Sequence, residues 1–383
     1  MASTRGDNSR RDTLGTATCG PVLASGVVGC IVLDKLNCSE TTRGDCHISP
    51  DTVTPVPRNL LTDVAGIRVG HAEDARIASG VTVILFDEPF VTAVDVRGGG
   101  PGTRETDLLD PARTVEAVDA IALSGGSALG LDAPSGAQAY LREIGRGYAV
   151  GSARVPLVPG AILFDLLNGG DKNWGRYPPY RELAYVAATR AGTDFALGSV
   201  GAGLGATTVN FKGGIGSASA VTEAGFTVAA LAVVNAAGSV VIDDGPWFWA
   251  VPFEQNNEFG GHGFPAAMPT RALAARAKGA LLHSTTLVVV ATNAALSKAQ
   301  AKHMAVMAQD GLARAIHPVH TTLDGDTVFA AATGRHPLRN PLFDLTAIGT
   351  AAAQVVARAI ARGVFEAEPL NFPSSSPAYK HKF

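Results

Sequence analysis

The chain has 383 residues, of which 46% are hydrophobic and only 17% charged, with a formal net charge of −3. That balance suits one large or two smaller compact domains, excludes a disordered chain, and with no basic stripe argues against a nucleic-acid partner. All four cysteines, Cys19, Cys30, Cys38 and Cys46, precede residue 47, so the main body has neither a disulfide framework nor a cysteine nucleophile.

Residues 1–58 read as an extension, either disordered or an export signal followed by a linker. SRRDTLG resembles a degenerate twin-arginine signal, and VVGC ending at Cys30 loosely resembles a lipoprotein cleavage site. The apolar stretch between them is diluted by Gly and Thr. A cytoplasmic location is therefore expected, with periplasmic export through the twin-arginine-like N-terminus as the alternative. NCSETTRGDCHISPDTVTPVPRN (37–59) has linker composition.

From Leu60 the pattern becomes regular. GVTVILFDEPFVTAVDVRGGG (80–100) predicts two strands around a turn at Asp87-Glu88-Pro89. AIALSGG (120–126) predicts a buried strand, with Ser127 capping a helix that runs to about Glu143. GAILFDLL (160–167) is strand-like, and RELAYVAATRAG (181–192) predicts a short helix closed by Gly192. Between Phe195 and Val241, small and β-branched residues alternate with glycines, which predicts adjacent strands with tight turns. FTVAALAVVNAAGSVVI (226–242) is the longest apolar run, but Asn235 and Gly238 divide it into two strands and not a membrane span. Residues 243–280, rich in Gly and Pro, read as a long loop outside the core. STTLVVVATN then predicts a buried strand. Ser297 and Gln300 form a capping box for a helix whose one face carries Ala301, Met304, Ala308, Leu312 and Ala315. HTTLDGDTVFAAATG (320–334) is a loop entering a strand, and a last helix over about 345–363 buries Ile348, Val355, Val356 and Ile360. Strands and helices alternate irregularly, with several strands in succession. The fold expected is α/β (α+β): stacked sheets covered by helices.

The familiar glycine motifs do not fit. GSVGAGLGATT (198–208) lacks the spacing of a dinucleotide loop and is followed by strands, so no helix N-terminus is available for a phosphate. SGGSALG (124–130) is not a hydrolase nucleophile elbow, although its glycines Gly125 and Gly126, with Ser127, would let backbone N–H groups line a pocket. His317 and His320 in HPVH lack both helical geometry, because of Pro318, and a third ligand, so no metal is expected. His71 and His262 stand alone.

Four features carry two readings each. Asp324 and Asp326 in LDGDTVF are either turn residues that accept backbone N–H bonds or an acidic pair for acid–base, metal or amine chemistry. Lys212 before Gly213-Gly214 is a solvated turn residue or a buried ammonium. Asn235 is a turn residue or a buried amide open to a ligand. Thr285 and Thr286 are ordinary strand formers, or one of them is an N-terminal nucleophile whose own amine serves as general base once the chain is cut before it.

The stretches LTDVAGIRVGH, VDVRGGGPGTRETDLLDP, LSGGSALGL, VPGAILFDL, KGGIGSAS, LAVVNAAG, STTLVVVATNAALS and HTTLDGDTVFAAATG, in this order, resemble the L-aminopeptidase/D-esterase (DmpA-type) family from about Leu60 to about Phe365. That family includes β-aminopeptidases, a pantetheine hydrolase and nylon-oligomer (6-aminohexanoate oligomer) hydrolases. The resemblance implies an αββα sandwich similar to N-terminal nucleophile hydrolases and a precursor that cuts itself. The α chain would be 59–284 and the β chain 285–383 of one domain, with Thr285 as nucleophile and cleavage between Ser284 and Thr285. Cleavage between His283 and Ser284 is the competing choice, because family members often have Asn or Gly where Ser284 stands. The same register implies that Lys212 holds and activates the nucleophile, that Asn235 stabilises the oxyanion, and that Asp324 and Asp326 orient the nucleophile's amine or hydroxyl. Phe164 stands where some members have Tyr, which removes a possible donor; with Gly125, Gly126 and Ser127 it is a candidate substrate contact. The expected activity is hydrolysis of small amine-bearing amides or short peptides through an acyl-enzyme on Thr285. No cofactor or membrane span is expected, and an oligomer of αβ units, a tetramer, is. An acyltransferase on the same scaffold, or a non-enzymatic binding protein, is the alternative.

Overall fold

One long strand organises the backbone of the computed structural model, which describes residues 57–279, 284–372 and 375–383. Strand β2 (Ser79–Val96) runs for 18 residues, and β1 (Ile67–Asp74) folds back on its first half. The proposed turn at Asp87-Glu88-Pro89 is not a turn. Those three residues are an exposed irregularity in a continuous strand, where the register with β4 (Ala117–Ser124) shifts between Leu85 and Phe90. Both halves stay in one strand because β4 pairs with each of them.

The sheet order is β3-β7-β4-β2-β11-β10-β9-β8, with β1 attached to β2. Here β3 is Thr103–Arg104, β7 Gly160–Ile162, β8 Ile215–Val221, β9 Thr227–Val233, β10 Leu287–Ala294 and β11 Thr327–His336. A separate exposed hairpin joins β5 (Tyr148–Val150) to β6 (Ala153–Val155). Helices α1 (Ala133–Glu143) and α2 (Tyr180–Thr189) lie in the first half of the fold, α3 (Lys298–Ala315) and α4 (Pro341–Phe365) in the second.

The period-two side-chain alternation of the strands builds a four-layer sandwich. Ile84, Phe86, Ile121 and Leu123 meet Leu231, Val289 and Phe329 in a central core between the two halves of the sheet. The opposite faces pack outward on helices. Val288, Val290 and Val328 meet Met304, Leu312, Val355 and Ile360, while Val81, Val83 and Ala122 meet Ala137, Leu141 and Ala184. Helix α4 approaches β8 so closely that a Cβ on Gly216 would stand 1.8 Å from the Ala359 carbonyl. The Ser297–Gln300 capping box is formed, and the expected apolar face of α3 is buried.

Three other expectations change. Ser127 caps no helix: its φ is +52° and it opens a 3₁₀ turn (Ser127–Asp132) before α1. The second strand expected within 226–242 is only a set of isolated bridges, Ser239 with His317 and Val241 with Phe248. The loop 243–280 is not wholly outside the core, since its Phe248 and Phe259 are buried there, with Phe248 packing on both Phe259 and Tyr379. The N-terminal extension with its SRRDTLG and VVGC stretches, apart from its last residues, lies outside the described residues, as does His283. No helix among the described residues is long and apolar enough to cross a membrane.

Candidate active site

The site forms where three neighbouring strands begin or end. Leu287 at the head of β10 pairs with Val233 at the end of β9 and with Thr327 at the head of β11. Carrying that register two residues past the strands sets Thr285 beside Asn235, and Ser284 forms a parallel bridge with Asp324. The Thr285 N–H donates to the Asn235 backbone oxygen at 2.8 Å, and the Ser284 N–H donates to Leu323 O at 3.0 Å. Sequence positions far apart, in LAVVNAAG, STTL and LDGDT, thus converge through ordinary ladder geometry.

The carbonyl of Ser284 receives two donors. Thr285 Oγ1 lies 2.6 Å from it, and the Gly325 N–H donates to it at 2.9 Å. Ser284, Thr285 and Thr286 are all buried, and the Ser284 and Thr286 hydroxyls have no hydrogen-bond partner among the described residues. Of the three, only the Thr285 hydroxyl touches the peptide bond that links Ser284 to Thr285.

Both acids are buried and accept backbone N–H bonds, as a turn requires. Asp324 accepts the Thr321 N–H and hydroxyl at 2.8 Å each, and the Ala237 N–H at 3.2 Å. Asp326 accepts the Thr286 N–H at 2.7 Å through one oxygen and faces His320 Nδ1 at 2.8 Å through the other. Burial pushes the Asp326 carboxyl above its ordinary range; the His320 hydrogen bond opposes that, and the neighbouring Asp324 charge adds to it. The structure therefore joins the turn reading to the acidic-pair reading.

Lys212 is a fully buried ammonium. It donates to the carbonyls of Gly203, Ala206 and Gly213 at 3.0, 2.7 and 2.6 Å. Burial lowers its pKa to about 7, Asp165 opposes that shift, and Lys278 reinforces it. No hydrogen bond joins Lys212 to Thr285 among the described residues. It acts instead on the loop that presents Thr207, whose N–H donates to Asn235 Oδ1 at 3.0 Å. The amide nitrogen of Asn235 donates to Phe164 O at 3.1 Å.

The sequence profile of peptidase family S58 matches residues 59–376. The chain belongs to that family.

Among S58-like relatives, the chain is 45% identical over 350 residues to an uncharacterized aminopeptidase of Mycobacterium tuberculosis, covering 85% of this chain and 98% of that one. It is 27% identical over 286 residues to the 6-aminohexanoate-oligomer endohydrolase of an Agromyces species, covering 72% and 75% of the two chains. Its fold is similar to that of a Burkholderia β-aminopeptidase, with a TM-score of 0.64, 25% identity and coverage of 85% and 92%. It is also similar in fold to the L-aminopeptidase D-Ala-esterase/amidase of Ochrobactrum anthropi, a variant of the Ntn hydrolase fold, with a TM-score of 0.64, 20% identity and coverage of 87% and 94%. This S58 chain is a hydrolase of the aminopeptidase/amidase type.

Beside the S58 strand heads lies a cavity of about 140 Å³, lined by Phe164, Asp165, Asn168, Thr207, Lys212 and Lys278, among others. Phe164 thus borders the site. Gly125, Gly126 and Ser127 do not line this cavity but support its wall. The Gly126 N–H donates to Asp165 Oδ1 at 2.8 Å, a Cβ on Gly125 would stand 2.2 Å from Asp165 Oδ2, and the Ser127 N–H donates to Leu163 O. Asp165 also accepts the Ser79 hydroxyl at 2.6 Å, and burial pushes its carboxyl above the ordinary range. Sequence reasoning missed Asp165, Gly325, His320 as the partner of Asp326, and Lys278. Of these, His320 carries a signal of its own in HPVH, and that signal points toward a metal ligand. Among the described residues, no three His, Cys, Asp or Glu side chains are grouped to hold a metal.

Proposed function

We propose that the chain cuts itself between Ser284 and Thr285 and that the exposed Thr285 hydrolyses amide bonds of small amine-bearing substrates. The observation that carries this reading is the pair of donors on one carbonyl, Thr285 Oγ1 and the Gly325 N–H, both on Ser284 O. In the cut, Thr285 Oγ bonds to the Ser284 carbonyl carbon while the developing oxyanion keeps the Gly325 N–H as donor. The C–N bond then breaks, the Thr285 nitrogen takes the hydroxyl proton, and an ester joins Ser284 to Thr285 Oγ. Water hydrolyses that ester, leaving a Ser284 carboxylate and a free Thr285 amine.

The amine then supplies the base that a threonine side chain lacks. It takes the proton of Oγ as Oγ attacks a substrate amide, passes it to the departing amine, and an acyl ester on Thr285 is released by water. Asp326 fixes the strand behind the nucleophile through the Thr286 N–H. Lys212 holds the Gly203–Gly213 loop, and through it the orientation of Asn235. In the intact chain the Asn235 amide nitrogen is engaged by Phe164 O. An amide nitrogen carries two N–H donors, so the second would serve as the oxyanion donor for substrate while the first keeps that partner.

A denaturing gel with mass spectrometry tests the reading. Two chains are expected, the smaller beginning at Thr285, and Thr285→Ala is expected to give one. A single intact wild-type chain would overturn it, and a smaller chain beginning at Ser284 would move the nucleophile.

A further inference from the structure

The segment leading to the proposed cut is mostly exposed. Leu273, Ala274, Ala275, Ala277 and Gly279 all face solvent. Arg276 and Lys278 are half-buried, and Lys278 is the one that turns inward. Its backbone N–H donates to Ala237 O at 3.1 Å, and its side chain turns inward, donating to Thr207 O at 2.7 Å and Asn235 Oδ1 at 3.2 Å. Asn235 is therefore shared: its backbone oxygen holds the Thr285 N–H and its side-chain oxygen holds the Lys278 ammonium. Burial works against the charge and lowers the Lys278 pKa to about 7, so it is the groups contacting the ammonium that favour a cation there. Two neutral acceptors contact it, and the Asp324 carboxylate attracts it from nearby. The space opens into the cavity that Asp165 also lines.

At this position the lysine side chain is held by its two hydrogen bonds, to Thr207 O and Asn235 Oδ1. Its neighbours 277 and 279 have no burial to satisfy, and the nearby Arg276–Asp244 ion pair already ties the segment to the surface at 2.8 Å. What the side chain does is fill a hole lined with acceptors beside the candidate nucleophile. A cut after Ser284 would place Lys278 close to a new chain end. Its departure would leave Thr207 O and Asn235 Oδ1 without their cationic donor, which a buried acceptor set does not tolerate at no cost.

We propose that the space filled by the Lys278 side chain is a primary-ammonium subsite, occupied by the chain's own lysine before cleavage and offered to the ammonium group of an amide substrate afterwards. This rests on the proposed self-cleavage for its timing, but not for the existence of the subsite. The subsite selects amides whose amino group is a free, unbranched primary ammonium. It discriminates against neutral analogues of the same shape, because a methyl or hydroxyl leaves the acceptors without a charged donor.

The test separates the two claims by using a chain that is not cut. In full-length Thr285→Ala, calorimetric titration at pH 6 with n-butylammonium, which copies the lysine arm, is expected to give no binding, because Lys278 fills the subsite. In Thr285→Ala/Lys278→Ala it is expected to bind saturably, at least about tenfold more tightly than n-butanol, a difference of about 1.4 kcal/mol. Thr285→Ala/Lys278→Met, which refills the hole with an apolar arm, is expected to bind neither. Circular dichroism of all three chains confirms that they are folded. A folded Thr285→Ala/Lys278→Ala chain that ignores n-butylammonium, or binds n-butanol equally well, overturns the subsite. Failure of the wild-type chain to cut itself would overturn the processing reading and leave this comparison standing.

Discussion

His320 Nδ1 stands 2.8 Å from Asp326 Oδ2, while the other oxygen of the same carboxylate accepts the Thr286 N–H. A loop histidine thus holds the acid that holds the strand carrying Thr285. Replacing it removes the shorter of two contacts on that buried carboxylate oxygen and leaves only the backbone N–H of residue 320 at 3.2 Å. His320→Ala is expected to destabilise the chain by about 1.5–3 kcal/mol, the range for hydrogen bonds to charged groups, and to slow the appearance of two chains on a time-resolved gel. His320→Gln, which keeps a donor, is expected to recover part of both. Unchanged processing in His320→Ala would remove its positioning role.

The two hydroxyls at the proposed cut are expected to behave differently. Thr285→Ser keeps an Oγ on the Ser284 carbonyl and should still process; Thr285→Ala should not. Ser284→Ala removes a hydroxyl with no hydrogen-bond partner among the described residues and should process normally. Intact mass measured for the three variants checks this, and loss of processing in Ser284→Ala would favour cleavage one residue earlier.

Gly325 is a steric test of the same carbonyl. A Cβ there would stand 2.6 Å from Gly100 O and 2.8 Å from Thr285 Oγ1. Gly325→Ala must displace either the Gly100 loop or the threonine hydroxyl, at about 1–3 kcal/mol. Its expected outcome is a folded but uncut chain, read by gel and by thermal denaturation.

Lys212 gives a pH prediction. Its ordinary pKa of 10.5 is lowered to about 7 by burial, and that of Lys278 likewise. Between about 7 and 10.5 the unfolded lysines still bind a proton that the folded ones have shed. Stability should therefore rise with pH across that window and lose the gain below it. Denaturant titrations of uncut Thr285→Ala at several pH values check the slope, which Lys278→Met is expected to reduce. Lys212→Met removes the cationic donor from three buried carbonyls, of which Gly203 O and Ala206 O keep the Ala206 and Gly213 N–H groups, and is expected to cost about 2–5 kcal/mol, with no processing.

Much of this was legible in the sequence, and for identifiable reasons. The amphipathic face of α3 and its Ser297–Gln300 box are local signals, written within a few turns of helix. Asn235, Thr285 and Asp326 were singled out from their motifs, but what brings them together is the register of β9, β10 and β11, which single-segment periodicity cannot supply. The break assigned at Asp87-Glu88-Pro89 failed because turn chemistry is local, whereas β4 pairing on both sides of it is not. Lys278 left no trace: within TRALAARAKGA it looks like one more surface cation, and only the inward turn of its side chain distinguishes it.

The strand order has a kinetic consequence for a chain cut at Thr285. β10 and β11 would belong to the small fragment, yet they are inserted between β9 and β2 of the large one. Neither fragment would keep a complete central sheet alone, so the two would separate only by unfolding. Once separated they would meet again as two molecules at a concentration-dependent rate, having folded first as one. The finished enzyme would then persist because it unfolds slowly, and heat inactivation would be far harder to reverse for the cut protein than for Thr285→Ala.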